Sequence, residues 1–307
     1  MRSISKNDTK VFSVITENGV LVDPTGRPTT HMRISVTNIC DMDCPYCHRE
    51  GHIAGRKVLS THEIRKIVKT AAKWGIHSIK LTGGEPLLRK DIVQIVKAIT
   101  EIEGIREVSL TTNGTYLDQL ALQLKQAGLK RINIGCDALS SSVLKKNAAR
   151  IQKALTAAKE AGFQDIKLNM VVLKGLNDHE IDDMIEFARR EKVTLQLIEL
   201  MDSDPEFYMR YFVNLDALEK ELEGKANRID ERQLQARRRY FLDGIVIEVV
   251  RSHARKFCAN CSKIRVTSDG YFKPCLRRED NLVAIESDQI EENLLEAVRR
   301  RAPYVHD

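Results

Sequence analysis

Short apolar runs rich in β-branched residues alternate with longer amphipathic segments along the first two thirds of the chain. The apolar runs predict six strands, at Met32–Thr37, Ile79–Thr82, Val108–Thr112, Ile132–Cys136, Ile166–Val172 and Leu195–Leu200. The segments between them predict helices over Thr61–Trp74, Lys90–Glu103, Leu117–Ala127, Leu139–Ala161 and Asp178–Glu191. Because the strands are almost entirely apolar, we expect a parallel sheet covered by helices, an α/β fold. Six units without a seventh and an eighth predict an incomplete (β/α)6 barrel.

Four unusual segments directly follow predicted strands. A cysteine-rich loop follows the first strand, Gly83–Pro86 follows the second, Asn113-Gly114 follows the third and Met201 follows the sixth. In α/β folds the carboxyl ends of parallel strands meet at one face, where the chemistry usually takes place. We therefore expect these segments to lie together.

The pattern changes after Met201. Residues 216–224 predict a short helix, and residues 240–250 predict a hairpin with an Asp243-Gly244 turn. A second hairpin is predicted around Asp269-Gly270, whose turn would bring Cys275 back beside Cys261. The chain therefore divides into an N-terminal extension (residues 1–31), a partial barrel (32–212) and a smaller α+β C-terminal domain (213–307).

Composition and charge limit the classes of function. No apolar stretch approaches the roughly 20 residues of a membrane helix, and the N-terminus lacks the apolar core of a signal peptide, so we expect a cytoplasmic protein. The formal charge of +6 fits an anionic substrate or weak nucleic-acid binding. Aromatic residues make up only 5% of the chain, which argues against stacking on RNA bases. The basic runs 237–239 and 299–301 are interpreted as solvated faces or structural ion pairs.

Seven cysteines form two tight groups and one single residue. The groups are Cys40, Cys44, Cys47 and Cys258, Cys261, Cys275, and Cys136 is interpreted as a small apolar strand residue. Such grouping in a reducing compartment favours metal binding over disulfides.

Three closely spaced thiolates can hold an iron–sulfur cluster. A cubane ligated only by protein takes four cysteines, so three leave one iron open to another ligand. The alternative for each group is structural zinc. His48 would be the fourth ligand of the first site, although its position next to Cys47 makes this awkward, and His253 would be the fourth ligand of the second.

The first cysteine loop and the glycine-rich segment together resemble the radical S-adenosylmethionine (SAM) enzymes. The shared pattern is C-x3-C-x-aromatic-C after the first strand and Gly83-Gly84-Glu85-Pro86 after the second. The resemblance implies a [4Fe-4S] cluster on Cys40, Cys44 and Cys47, whose electron splits SAM into methionine and a 5′-deoxyadenosyl radical. It implies contacts to SAM from Tyr46, Gly83, Gly84, Glu85, Gly135 and Met201. Two glycines would let backbone approach the bound cofactor without a Cβ in the way.

The chain from about Gly26 to Leu276 is more closely similar to the GTP 3′,8-cyclases of molybdenum cofactor biosynthesis, the MoaA family. The likeness includes Gly26–Pro28, Leu81–Leu87, Thr111–Gly114, Lys167–Val172, Lys174–Asp178, Ile198–Met201 and both cysteine spacings. It implies a second [4Fe-4S] cluster on Cys258, Cys261 and Cys275, whose free iron would hold the guanine ring. The two clusters would face each other across the barrel mouth.

The same resemblance implies the substrate site and the partners. The residues expected to contact GTP are Arg33, Lys80, Thr111, Lys167, Lys263, Ile264 and Arg265. The radical would remove the ribose 3′ hydrogen, and the ribose carbon would then attack C8 of guanine. The expected partners are a low-potential electron donor such as ferredoxin or flavodoxin, and a downstream cyclic pyranopterin monophosphate synthase. Oligomeric state is left open.

Several positions depart from the pattern of that family. Gly135 stands where the family carries serine and Lys263 where it carries arginine, whereas Gln196 and Ser78 stand where its bacterial members carry arginine and lysine. We therefore expect a differently arranged phosphate site. Residues 47–51 and the short C-terminal tail, which lacks a Gly-Gly end, resemble archaeal members. The alternatives are another radical SAM enzyme, acting on a peptide, a haem precursor or an RNA base, and a zinc-stabilised binding module.

Overall fold

The computed structural model describes residues 19–49, 58–140 and 148–302. The start of the helix predicted from Leu139, the end of the segment 47–51 and the tail beyond residue 302 lie partly or wholly outside these ranges. The six strands of the first part are β1 His31–Ser35, β2 Ser78–Thr82, β3 Glu107–Thr112, β4 Arg131–Gly135, β5 Asp165–Val172 and β6 Thr194–Glu199. The helices between them are α1 Thr61–Lys73, α2 Ile92–Thr100, α3 Leu117–Gln126, α4 Ala148–Glu160 and α5 Ile181–Arg190. All six predicted strands are confirmed, and they pair in parallel in chain order.

Helix α1 illustrates how local sequence produces these elements. Ser60 and Glu63 form a capping box, in which the Ser60 hydroxyl accepts from the Glu63 N–H and the Glu63 carboxylate accepts from the Ser60 N–H. The buried residues Ile64, Ile67, Val68 and Ala71 recur at helical spacing and pack on the sheet. No helix in the described ranges is both long and apolar enough to cross a membrane.

The C-terminal part contains four helices and six strands within the described residues. They are α6 Pro205–Tyr211, α7 Asp216–Lys225, β7 Arg228–Glu231, β8 Arg238–Leu242, β9 Ile245–Val250, α8 Arg255–Ala259, β10 Lys263–Val266, β11 Tyr271–Lys273, β12 Val283–Ala284 and α9 Ile290–Arg299. Both predicted hairpins are confirmed, since β8 pairs with β9 and β10 pairs with β11, each antiparallel. Gly244 and Gly270 adopt φ of +74° and +94°, which the two turns require.

The C-terminal strands join the same sheet as β1–β6. β9 pairs in parallel with β6, and β10 pairs in parallel with β1, so the strand order is β12-β11-β10-β1-β2-β3-β4-β5-β6-β9-β8-β7. Side chains from all eight parallel strands line one cavity, which shows that the sheet curls around it. The partial barrel is therefore extended at both edges by the C-terminal part.

The end of the N-terminal extension is part of this fold. Leu21 is fully buried, and the N–H groups of Thr30 and His31 both donate to the carbonyl of Ser262, at 3.1 Å each. Residues 19–30 therefore pack under the start of β10, and they support the segment that carries the second cysteine group.

Candidate active site

The barrel encloses a cavity of about 330 Å³ that brings together most of the residues predicted from the sequence. Its walls include the predicted substrate and cofactor residues Arg33, Lys80, Thr111, Lys167, Lys263, Arg265, Tyr46, Gly135 and Met201. Neighbouring strands place them side by side: Arg33 lies opposite Lys80 in β2 and opposite Arg265 in β10. The alternation of side chains along a strand turns these positions to the same face.

Ile264 differs from its neighbours in β10. Its side chain is fully buried in the hydrophobic core, because it alternates with the cavity-facing Lys263 and Arg265. A contact between Ile264 and substrate, as predicted from the sequence, would therefore have to come from its backbone.

The first cysteine loop is tied to the barrel by side chains outside the cysteines. The Tyr46 hydroxyl donates to the carboxylate of Asp137, just after β4, and the Asn113 amide donates to Asp41 at 2.6 Å. Within the loop, the N–H of Met42 points at the sulfur of Cys40, at 3.4 Å. The N–H of Arg49 points in the same way at the sulfur of Cys47, also at 3.4 Å. Burial raises the pKa of the Cys40 thiol although the Met42 N–H lowers it, so iron binding at this exposed loop would have to displace the thiol proton.

Gly83 and Gly84 do not line the cavity; they lie against the backbone of the cysteine loop. The Gly84 N–H donates to Thr37 O at 2.9 Å. A Cβ on Gly84 would lie 2.2 Å from Ile39 O, and one on Gly83 would lie 2.4 Å from Thr37 O. In the structure, both positions require glycine because two loop backbones touch there. The sequence had predicted a different cause, the approach of the backbone to the cofactor. Direct contact of either glycine with SAM stays a prediction.

Glu85 joins the second and third loops. Its carboxylate accepts from the N–H of Leu87 at 3.0 Å, the hydroxyl of Thr112 at 2.6 Å and the N–H of Asn113 at 2.7 Å. Only 1% of the residue is exposed, and burial raises its pKa to about 7 against the effect of these donors. Glu85 therefore holds the loops around the cysteines in place, and its predicted contact with SAM remains a prediction.

The second cysteine group lies around a smaller cavity of about 70 Å³. Cys258, Cys261 and Cys275 all line it, and the Asp269-Gly270 turn brings Cys275 back as predicted. Burial alone would raise the pKa of the Cys261 thiol, but the guanidinium groups of Arg265 and Arg301 outweigh it and lower that pKa. A thiolate is the form that binds iron, so this site fits a cluster.

His253 does not line this cavity. One ring nitrogen contacts the carbonyl of Leu200 at 2.9 Å, and its ring packs against Tyr208 and Phe212. The fourth ligand that a zinc site would require at the second group is therefore directed elsewhere.

Two buried arginines hold the backbone of the second cysteine group. Arg27 donates to the carbonyl of Cys258 at 2.9 Å, and Arg301 donates to the carbonyl of Cys261. Asp23 pairs with both arginines, at 2.8 Å and 3.5 Å. The Gly26–Pro28 motif and the end of the basic run 299–301 thus have a structural role beneath the cysteines.

The barrel cavity is rich in positive charge that protein carboxylates only partly balance. Arg265 is 7% exposed, its Nε is buried without a hydrogen-bond partner, and no carboxylate of the described residues pairs with it. Burial, together with neighbouring cations, lowers the pKa of both Lys80 and Lys263. Buried cations without matching anions favour a polyanionic ligand.

One carboxylate serves three of these cations. Glu248, fully buried in β9, pairs with Lys167, with Arg237 at 2.7 Å and with Arg232 at 3.6 Å. Although burial opposes ionisation, Arg237 and Lys167 bring the pKa of Glu248 down to about 2.

The residues of the cavity wall that the sequence reasoning missed include His31, Arg131, Asn133, Arg232 and Arg237. His31 and Arg131 are the first residues of β1 and β4, and only the strand register could have revealed that they face inwards. Arg237 belongs to a basic run that was interpreted as surface or structural pairs. Its pair with Glu248 fits that interpretation, but its position in the cavity was not foreseen.

Comparisons with known proteins show the family to which the chain belongs. The model of the Radical SAM superfamily matches residues 34–188, and that of Molybdenum Cofactor Synthesis C matches residues 193–306. The chain is 41% identical to a probable GTP 3′,8-cyclase of Methanothermobacter thermautotrophicus, over 92% of this chain and 98% of the relative. Similar proteins with that name occur in Methanosarcina acetivorans (42% identity, 99% and 96% covered) and Pyrococcus abyssi (45%, 87% and 90%).

Solved structures share the fold at low sequence identity. Streptococcus suis SuiB, solved with S-adenosylmethionine, superposes with a TM-score of 0.70 at 16% identity, over 97% of this chain and 71% of SuiB. The enzyme anSMEcpe with bound AdoMet gives a TM-score of 0.58 at 16% identity, over 88% of this chain and 80% of that one. The predicted radical SAM type of barrel is confirmed.

Replacing Gly84 with alanine tests the contact between the two loops. We expect Gly84→Ala to lower the free energy of unfolding by about 1–3 kcal/mol, because the new Cβ would overlap the Ile39 carbonyl. Guanidinium unfolding measures the change. Gly224→Ala is the control, since a Cβ there meets nothing within 4 Å, and because Gly224 lies in α7 it should be neutral or raise stability by up to about 1 kcal/mol. A Gly84→Ala variant as stable as wild type would show that the loops separate without cost.

Replacing Glu248 with glutamine tests the shared carboxylate. We expect Glu248→Gln to lower the free energy of unfolding by about 3–5 kcal/mol near neutral pH, because buried cations lose their partner. The folded pKa of about 2 lies below the ordinary value of ~4.3, so this contribution is full above about pH 5 and is lost as the pH falls towards 2. The free energies of unfolding of wild type and variant should therefore become equal as the pH falls towards 2.

The control for this experiment is Glu231→Gln, which changes an exposed carboxylate of β7. It should leave stability within about 0.5 kcal/mol of wild type at every pH. If the difference in the free energy of unfolding between wild type and Glu248→Gln stayed constant down to pH 2, the charge-pair explanation would be contradicted.

Proposed function

Because the chain belongs to the radical SAM superfamily and carries the Molybdenum Cofactor Synthesis C domain, we propose that it is a GTP 3′,8-cyclase. This enzyme converts GTP to 3′,8-cyclo-7,8-dihydro-GTP, the first step of molybdenum cofactor biosynthesis. Relatives that are 41–45% identical over most of their length carry the name of this activity. The observation that supports it best is a single cationic cavity beside which both cysteine groups lie.

The two cavities share part of their walls. Met201, Gln235, Arg265 and Phe257 line both the barrel cavity and the cavity of the second cysteine group, and Tyr46 brings the first cysteine loop to the barrel cavity. A nucleotide in the barrel could therefore reach the second group with its base while its ribose faces the cofactor. A cluster that did not bind substrate would not require a cavity wall shared with the barrel.

On this proposal Cys40, Cys44 and Cys47 hold the cluster that binds SAM, and Cys258, Cys261 and Cys275 hold a second [4Fe-4S] cluster that binds guanine. Bound together, these groups supply the electron, the radical that takes the ribose 3′ hydrogen, and a Lewis-acidic iron for the base. Tyr46 and Met201 fix the cofactor at the mouth of the cavity.

The remaining roles fall to the charged and polar wall. The cations Arg33, Lys80, Lys167, Lys263 and Arg265 bind the phosphate oxygens, and the Thr111 hydroxyl donates to the substrate. The curled sheet excludes water from the reacting ribose. Once the bond from C3′ to C8 has formed, one electron and one proton complete the product, so an external donor is required.

The partners of the reaction belong to the same proposal. A low-potential donor of the ferredoxin or flavodoxin type would supply electrons, and a cyclic pyranopterin monophosphate synthase would take up the product. Free thiols that hold clusters require a reducing compartment, which is consistent with the cytoplasm.

Deuterium transfer tests the reaction directly. With GTP deuterated at the ribose 3′ position, the reduced, reconstituted protein should release 5′-deoxyadenosine that carries one deuterium, measured by mass spectrometry. A GTP isomer with a new retention time should appear in step with it. Cleavage of SAM without deuterium transfer would keep the radical SAM assignment and reject GTP cyclisation at this position.

Replacing Cys275 tests the second cluster. We expect Cys275→Ser to reduce bound iron from about eight to about four per chain, to keep cleavage of SAM and to abolish cyclisation of GTP. Cys136→Ala is the control, because Cys136 is buried in the apolar core, lines neither cavity and should keep all three properties. Unchanged iron content in Cys275→Ser, or zinc in the wild-type protein, would reject the second cluster.

A further inference from the structure

A tight turn between β7 and β8 carries charged side chains into the barrel cavity. We call residues 232–237 the arginine turn; its members Arg232, Leu234, Gln235 and Arg237 all line the cavity. We propose that Arg237, assisted by Arg232, is a phosphate-binding residue of this cavity and selects nucleotides that carry a chain of phosphates. This inference rests on the proposed function and adds residues that neither the sequence motifs nor the family likeness suggested.

The backbone of the arginine turn is strained. Gln235 and Ala236 adopt φ of 62° and 47°, in the left-handed region, and neither is glycine. Each such residue costs about 1–3 kcal/mol, so the surrounding structure must hold it. The N–H of Arg232 donates to Arg237 O at 2.8 Å and closes the turn.

Contacts with the second cysteine segment supply that support. The N–H of Gln235 donates to the carbonyl of Asn260 at 2.8 Å, and its side-chain oxygen accepts from the Lys263 ammonium at 2.8 Å. Gln235 is only 4% exposed. The strained turn is thus anchored beside Cys258 and Cys261, and this anchoring directs Arg237 inwards. Strain of this kind concentrates at functional sites.

The charge that the turn adds is only partly balanced by carboxylates within the described residues. Glu248 is the carboxylate that Arg237 contacts, and the same carboxylate pairs with Lys167 and Arg232, so three cations share one anion. Arg237 also acts on its other neighbours: after burial, it is the main cause of the lowered pKa of Lys263. A ligand with several negative charges would remove this mutual repulsion, whereas a nucleoside would not.

The basic run 237–239 contains its own matched controls. Arg238 pairs with Glu223, and Arg239 pairs with Asp230 at 2.6 Å, both on the outer hairpin. Neither lines the barrel cavity. Three successive arginines of equal charge therefore differ in position, and the proposal assigns phosphate binding to the first of them alone.

Binding measurements on the reconstituted protein test this assignment without turnover. Titration with GTP, GDP, GMP and guanosine should show affinity that rises with the number of phosphates. Arg237→Gln should weaken GTP binding about tenfold or more, since it removes a contact between charged groups, and leave guanosine binding unchanged. Arg239→Gln should bind all four ligands like wild type.

The outcomes separate this inference from the proposed function. If wild-type protein bound guanosine as tightly as GTP, the cavity would not recognise phosphates, and the inference would be wrong. GTP binding that is equal in wild type and Arg237→Gln would overturn the role of Arg237 and leave GTP cyclisation standing. Circular dichroism checks the fold of each variant. If Arg237→Gln does not fold, Arg237→Lys and Arg232→Gln are measured in its place, and GTP affinity unchanged in both also overturns the inference.

Discussion

The connection from β9 to β10 must cross the open side of the barrel, and this constraint organises the whole site. β9 lies at one edge of the six central strands and β10 at the other, so the twelve residues 251–262 have to join the two edges. They can do so only because the sheet curls until its edges are close. Cys258 and Cys261 lie on this connection, and for that reason the second cysteine group lies beside the cavity that the strands enclose. The supports from Arg27 and Arg301 fix the same connection from behind.

The positive charges in the cavity lower the stability of the folded protein and at the same time favour binding of an anionic ligand. Burying a cation without a partner destabilises the folded protein, and Glu248 offsets this for only three of the cations. Arg265, which pairs with no carboxylate of the described residues, and the crowded Lys80 and Lys263 are tolerated because the barrel around them has a large apolar core. A triphosphate would supply the missing negative charge, so substrate binding should also stabilise the protein.

The sequence predicted the strands and much of the site because both depend on local pattern. Alternation along β1, β2 and β5 brings Arg33, Lys80 and Lys167 to the cavity, and the Asp-Gly turns predict both hairpins. The sequence could not show which barrel strand each hairpin joins, because pairing between strands far apart along the chain produces no local sequence pattern. The cavity position of Arg237 was missed for that reason, and the core position of Ile264 was not distinguished from that of its neighbours. The contact between Gly84 and Ile39 O likewise joins two loops distant in sequence.

Parallel strands also give the cavity a direction. His31, Arg131 and Lys263 begin their strands, so they lie at the amino ends, whereas Asp137 and Met201, and the loop that carries Tyr46, follow strand ends. The hydrogen bond between Tyr46 and Asp137 holds the first cysteine loop at the carboxyl ends, where the proposed function would place the cofactor. Gln235 accepts a hydrogen bond from Lys263, so the arginine turn that carries Arg237 lies with the amino-end group. On the proposed function, the phosphates of GTP would therefore lie deep in the barrel and the ribose nearer the mouth. The ribose would then lie between this amino-end group of cations and the cofactor.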